Sequence, residues 1–398
     1  GYWQGKQRIA SLETKIARRF FYTLLDVWKM SFEHYVYKNQ KKLRCGYTTG
    51  TCAALAAKGA ALLLFGGERA ERISIVTPKG ISVETKVLDL TQGEDFACCA
   101  VCKDSGDDPD VTNGMLVYAH VEKTSGSTIE IDGGAGVGRV TQKGLDQPIG
   151  AAAINRIPRQ MITKEVAAVC REFSYQEGVK VVISIPGGEE IAGQTFNPRL
   201  GIQGGISILG TSGIVEPMSR RGITESTRLE LSRLKAGGIS HAVITPGNYG
   251  EDFLKRQFKK LSPVTIKCSN FIGETLDSAV VMGFERLLFV GHIGKMIKVA
   301  GGIMDTHSQV ADGRMEIMAA HAALNGADTT AVAKIMDCAT TDEGIEILRN
   351  QGLLEKTMAS LMDKIDFHLK RRAGKGIWIE AMVFSNQYGL LGKTTAAD

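Results

Sequence analysis

Four stretches of the chain bring together residue types that can carry chemistry. In Ile129-Glu130-Ile131-Asp132-Gly133-Gly134-Ala135-Gly136-Val137-Gly138, a strand-like run ends on an acid and then on alternating glycines. Many S-adenosylmethionine and nucleotide sites begin in this way, because glycine lets backbone amides approach a ligand. A dinucleotide fingerprint would need a further glycine where Arg139 stands, and no helical pattern follows, so a glycine-rich β-turn is the competing reading. Gly291-His292-Ile293-Gly294-Lys295 follows the apolar run Leu287–Val290. It is not a phosphate-binding P-loop, because Phe289 and Met296 occupy the positions that need glycine and Ser or Thr. A loop opening a helix after a parallel strand can still receive an anion, or can be an ordinary turn.

The third stretch is the acidic loop Asp104-Ser105-Gly106-Asp107-Asp108-Pro109-Asp110. Its carboxylates could bind a divalent cation or supply a general base, although the EF-hand spacing is absent and solvated turns have the same composition. The fourth, Ile185 to Ser219, mixes eight glycines with Glu189, Glu190, Asn197 and Arg199 and has little periodicity. It is expected to line a cleft between two domains. Cys98, Cys99 and Cys102 sit on an apparent strand without a second ligand pair at zinc spacing, so no protein metal site is expected. His292 and His307 are the histidines in glycine-rich or polar loops; HExxH and G-x-S-x-G are absent.

These stretches need elements to hold them. Thr48-Thr49-Gly50-Thr51, the Ala-rich run Cys52 to Phe65 and Gly66-Gly67 predict a helix capped by hydroxyls and closed by glycine. Alternating runs at Ile73–Thr77, Ile81–Leu88, Phe96–Lys103, Leu116–Lys123 and Thr128–Ile131 predict a mainly antiparallel sheet. A helix over Lys164 to Phe173 and a strand over Val179–Ile185 follow. Short apolar runs at Ser207–Leu209, Ala242–Thr245, Val264–Lys267 and Leu287–Val290 then alternate with helical stretches at Glu225–Lys235, Gly250–Phe258 and Glu274–Phe284. That rhythm predicts a parallel, Rossmann-like sheet. Helices continue beyond Asp312 to Arg372, before a last strand at Ile377–Phe384. The expected organisation is an extension over 1–41 outside the core fold, an α+β domain over 42–215, and a Rossmann-like α/β domain with C-terminal helices over 216–398.

Composition excludes some classes. The 398 residues carry a formal charge of +5, too little to predict nucleic acid. Gly1–Lys29 holds six Lys or Arg and two Asp or Glu, so the rest is nearly neutral. Within it Ile9, Leu12, Ile16, Phe20, Leu24 and Trp28 form an amphipathic stripe, which fits a membrane-surface helix, a targeting peptide, or a segment ahead of a start at Met30. No uninterrupted apolar run approaches the roughly 18 residues of a membrane span. Eight cysteines without a secretory segment point to a reducing cytoplasm. The 46 glycines against 9 prolines mark heavy use of backbone freedom.

LRCGYTTGTCAALAAKGA (Leu43–Ala60), DSGDDPDVTNG (Asp104–Gly114), GGAGVGRVTQKGL (Gly133–Leu145), the IPGGEE to VEPMS stretch and GHIGKMIKVAGGIMDTHS (Gly291–Ser308) together resemble the CbiD family. The resemblance runs from about Met30 to Phe384 and leaves Gly1–Lys29 without an inherited role. It implies an α+β domain joined to a Rossmann-like domain. The implied reaction is methyl transfer from S-adenosyl-L-methionine to C1 of cobalt-precorrin-5B, giving cobalt-precorrin-6A in anaerobic cobalamin synthesis. Cobalt then belongs to the tetrapyrrole substrate, and transient contact with other corrin-pathway enzymes is expected.

On that resemblance, Thr48, Thr49, Thr51, Asp132, Gly134, Gly136, Gly291, His292 and Gly294 are expected to hold the methyl donor. Arg44, Arg139, Asn197, Arg199, Lys295 and His307 are expected to hold the carboxylate-rich macrocycle. Asp104 and Asp107 are the candidates for proton removal. A carrier that holds a corrinoid without transforming it would share the basic residues but need no donor pocket. A small-molecule kinase is a remoter rival.

Overall fold

Thr48 caps the helix Thr49–Gly66: its hydroxyl accepts the Thr51 N–H at 3.2 Å, and Gly67, at φ +67°, returns its N–H to Leu63. Caps of this kind contribute about 1 kcal/mol. The computed structural model describes residues 32–38, 40–257 and 264–394. Among these, the helix Thr49–Gly66 is apolar nearly all round. Its alanines let it lie close on the strands Phe96–Cys102 and Leu116–Thr124 and against the helix Arg156–Glu172. A Cβ on Gly59 would sit 3.1 Å from the Cys99 sulfur, which shows how close the helix and sheet come.

This helix also corrects the reading of apolar runs. Its 18 residues average a hydropathy of 1.4, enough in length and composition to cross a membrane, although Lys58 and the threonines interrupt the run. Of that window, 78% is buried inside the protein, as in a core helix.

The chain divides into two compact units: the described residues up to Gln142 with Asp146–Ser219, and Lys143–Leu145 with the described residues from Arg220 on. The first contains a five-stranded sheet ordered Leu88–Gln92, Phe96–Cys102, Leu116–Thr124, Gly178–Ser184, Ile129–Gly133. Every pairing is antiparallel except that of Gly178–Ser184 with Ile129–Gly133. Val117, Ala119 and Val121 alternate into the core, as a half-buried strand requires. Arg72–Val76 and Ser82–Lys86 form a separate hairpin, with Gly80 at φ +81° in its turn.

Several expectations change here. The predicted helix at Lys164 begins eight residues earlier, at Arg156, because Pro158 falls in the first turn, where its missing N–H costs nothing. Ser207–Leu209 is not a strand of the second rhythm; Ile208 bridges Ile154 inside the first unit. Part of the segment 1–41 takes part in the fold: Tyr35–Lys38 pairs with Lys41–Arg44, and Phe32 and Val36 pack on the core. The amphipathic stripe of Gly1–Lys29 lies outside the described residues.

The second unit has a sheet ordered Thr265–Lys267, His241–Thr245, Arg286–His292, Trp378–Ser385, Gly389–Lys393. The first four strands are parallel and the last, which the sequence reading missed, is antiparallel. From His241–Thr245 the chain moves one way to Thr265–Lys267, then returns past its start to Arg286–His292. The order therefore reverses between His241–Thr245 and Arg286–His292, and ligands of open parallel sheets bind beyond the carboxyl ends at such a reversal.

Candidate functional site

The loops leaving those two strands meet at the reversal. His292 ends its strand and caps the helix Ile293–Ala300, its Nδ1 accepting the Gly294 N–H at 3.1 Å. The ring stands edge-on to Phe384, with centroids 5.7 Å apart, and 6.1 Å from the ring of Tyr249, which is 60% exposed. Burial pushes the His292 imidazole below its ordinary pKa, partly opposed by Asp342. Asp342 itself accepts the Ser385 hydroxyl at 2.7 Å.

Lys295 is half-buried and donates to the Ser269 carbonyl at 3.2 Å. Desolvation draws its pKa down. Gly247, at φ +91°, leaves room for this ammonium, since a Cβ there would come within 3.2 Å of Nζ. The set His292, Lys295 and Tyr249 is rich in hydrogen-bond donors, which suits a ligand carrying a carboxylate. Gly291 serves packing instead: its missing Cβ makes room for Met296.

His307 lies on the loop after this helix. Its N–H reaches Asp305 at 3.2 Å, and its Nδ1 accepts the Gln309 N–H at 3.2 Å. Asp305 pairs with Arg220, and Thr306 N–H bonds the Asn270 carbonyl beyond the strand Thr265–Lys267. Lys298, 2% exposed, donates to the carbonyls of Thr306 at 3.2 Å and Ala311 at 2.8 Å. A buried ammonium is tolerated only with such partners, so Lys298 ties the His307 loop to the helix.

In the first unit the acidic loop is held by cations. Arg44 grips Asp104 through two hydrogen bonds of 2.5 and 2.9 Å, and its main-chain N–H reaches Asp107 at 2.6 Å. Lys103, 3% exposed, pairs with Asp110 at 2.6 Å. Burial acts to raise the Asp110 pKa, but the Lys103 charge and the Thr112 bonds outweigh it and hold the carboxyl low. Asp104 and Asp107, the expected candidates for proton removal, are thus both engaged by Arg44. Asp108 differs: burial raises its pKa, and the bond it accepts from the Met218 N–H, 3.3 Å long, only partly offsets this.

The glycines of Gly133–Gly138 stand where a Cβ would strike close neighbours. A Cβ on Gly136 would lie 1.8 Å from the Ile185 carbonyl oxygen, and one on Gly134 2.3 Å from the Ser184 hydroxyl. Asp132 and Arg139 form a two-point pair, which holds the Asp132 carboxyl below the usual carboxylate range. Both side chains, expected to hold the methyl donor and the macrocycle, are engaged with each other while remaining partly exposed.

The same holds at Thr48–Thr51. Thr49 donates to the carbonyl of Ser207 and Thr51 to that of Gly213, all three threonines are buried, and the loop 207–213 closes the helix start. Asn197 is 5% exposed and bridges the Gly205 carbonyl and the Ser207 hydroxyl, so it staples the loop. Arg199 sits exposed on the turn Asn197–Leu200. Among the described residues no trio of His, Cys, Asp or Glu is placed to hold a metal ion.

The sequence reading put His292 and Gly294 with the methyl donor and Lys295 with the macrocycle, counted Asp108 among the acids of its loop, and did not single out Gly247, Tyr249 or Lys298. Gly247 and Tyr249 could have been found from the strand order, because they follow the strand next to the reversal. Lys298 looks like a surface lysine in a linear reading.

The CbiD family model matches residues 36–217, and the model described as CbiD, C-terminal domain, matches residues 305–395. A protein of Ruminiclostridium cellulolyticum named cobalt-precorrin-5B C(1)-methyltransferase is 48% identical over 354 residues, covering 89% of this chain and 92% of that protein. One of the same name from Alkaliphilus metalliredigens is 46% identical over 365 residues, covering 92% and 96%. A solved cobalamin biosynthesis protein (cbiD) of Archaeoglobus fulgidus is 32% identical, covering 70% of this chain and 86% of that one, with a TM-score of 0.38. Identity at this level along nine-tenths of the sequence, with both family models in order, shows that the chain belongs to the CbiD family.

Proposed function

We propose that this chain is a methyltransferase of cobalamin biosynthesis that moves a methyl group from S-adenosyl-L-methionine to C1 of cobalt-precorrin-5B, giving cobalt-precorrin-6A. The observation that carries the reading is the 48% identity to a cobalt-precorrin-5B C(1)-methyltransferase across 92% of that protein's length. The topology of the second unit supports it, because ligands of open parallel sheets favour such a reversal of strand order, and His292, Lys295 and Tyr249 lie beside it.

S-adenosylmethionine, when bound, supplies an electrophilic methyl on a sulfonium. The residues fit it: Lys295 can pair with the methionine carboxylate, His292 can donate to it, and the exposed Tyr249 ring can stack on the adenine. The protein's main task is to align the methyl with the ring carbon, since an in-line displacement gains most from orientation. A C–C bond forms at C1, the C–S bond breaks, and S-adenosylhomocysteine leaves. Asp108 is the carboxylate of the acidic loop suited to accept a proton released from the macrocycle. Cobalt arrives with the substrate. On this reading the enzyme works in the cytoplasm and meets neighbouring corrin-pathway enzymes transiently.

Isothermal titration with S-adenosylhomocysteine tests the donor half directly. Binding that weakens in Lys295→Met supports it, and a heat trace without binding contradicts it.

A further inference from the structure

His292 and His307 share one backbone arrangement. In each, Nδ1 accepts the main-chain N–H two residues later, from Gly294 at 3.1 Å and from Gln309 at 3.2 Å. A ring nitrogen accepts a hydrogen bond only when it carries no proton, so both bonds require a bare Nδ1. The proton of the neutral ring then resides on Nε2, which becomes a donor. We propose that His292 and His307 are both held as Nε2–H tautomers and serve as hydrogen-bond donors to bound carboxylates, not as proton-abstracting bases.

The surroundings of each ring agree. Edge contact with Phe384 fixes the His292 plane, its burial disfavours the charged form, and the Asp342 carboxylate nearby is engaged by the Ser385 hydroxyl. His307 is fixed at both ends of its turn, through Asp305 and Gln309, on a loop that Lys298 anchors. A bare nitrogen facing the backbone and a protonated one on the far side of the ring make each histidine a fixed polar handle. The proposal deepens the function proposed above and rests on it for the ligands: the methionine carboxylate at His292, and a carboxylate of the corrinoid at His307.

Asparagine separates the two ends of the ring. Its Oδ1 can still accept the Gly294 or Gln309 N–H, and asparagine is a favoured helix cap, but it has no atom where Nε2 lies. His292→Asn in the full chain should keep the wild-type melting temperature and bind S-adenosylhomocysteine about fivefold more weakly. His307→Asn should do the same for a cobalt corrinoid with free side-chain carboxylates. Long-range nitrogen–proton spectra of the wild-type rings should show a bare Nδ1 and a protonated Nε2 at neutral pH. A protonated Nδ1, or wild-type affinities in both variants, would overturn the proposal. Wild-type protein that binds neither probe would sink the proposed function and the ligand half of this inference, while the spectra still decide the tautomers.

Discussion

The guanidinium of Arg44 holds the Asp104 carboxylate at both oxygens, and the main-chain N–H of the same residue holds Asp107. One residue thereby ties down two of the acids that looked catalytic in the sequence. Asp104→Asn should lower unfolding free energy by about 1–3 kcal/mol, the cost of leaving a partly buried charge short of its partner. The folded variant should transfer methyl groups at close to the wild-type rate. Asp108→Asn should do the reverse, with stability kept and turnover down about 100-fold, the usual contribution of a positioned base. Parallel urea denaturation and turnover measurements on the two variants check the division.

Lys103 and Asp110 form the second clamp of this loop. Lys103 is almost wholly buried, and its ammonium also meets the Ser105 hydroxyl at 2.6 Å. Lys103→Met should destabilise the protein by about 3–5 kcal/mol, because it strands the carboxylate. Lys103→Met with Asp110→Asn should recover part of that loss, and a double-mutant cycle by chemical denaturation reads the coupling.

Gly136 marks the place where three backbone segments meet. An alanine there would put its Cβ 1.8 Å from the Ile185 oxygen at a φ of +72°, a conflict of space and of backbone conformation together. Gly136→Ala should cost more than about 3 kcal/mol and leave most expressed protein insoluble. Gly80, which has open space around it, should tolerate alanine with a far smaller loss from its positive φ alone.

Acid should weaken the fold through His292. Burial holds its pKa below 6.5, so between the two values the unfolded chain binds more protons than the folded one. Its contribution to stability is therefore complete above about pH 6.5 and is lost as pH falls through the lower, folded value. His321 and His368 are shifted the same way by burial and add to the slope. Denaturation midpoints should fall between about pH 7 and pH 5, and His292→Asn should flatten part of that fall.

Much of the fold was readable because it rests on local rules. The Thr48 cap, the Ala-rich helix, the alternating strands and the Gly67 stop are written within a few residues of each other. The strand Gly389–Lys393 was missed because a short run with two glycines becomes a strand only when a neighbour such as Trp378–Ser385 offers an edge. The site was harder. Linear reading saw threonines at a helix start and acids in a loop, but it could not see that Ser207, Gly213 and Arg44 already occupy them. At the glycines that looked like a ligand cradle, a Cβ would strike the Ser184 side chain at Gly134 and the Ile185 backbone at Gly136, neighbours a linear reading does not show. The Gly291–Lys295 loop was legible because its place after a parallel strand is itself a local signal.

Methyl transfer to the corrinoid is read by anaerobic incubation of the protein with S-adenosylmethionine and cobalt-precorrin-5B, followed by mass spectrometry of the corrinoid. The corrinoid should gain the mass of one methyl group, with S-adenosylhomocysteine formed in equal amount. A folded protein that leaves the corrinoid mass unchanged would contradict it.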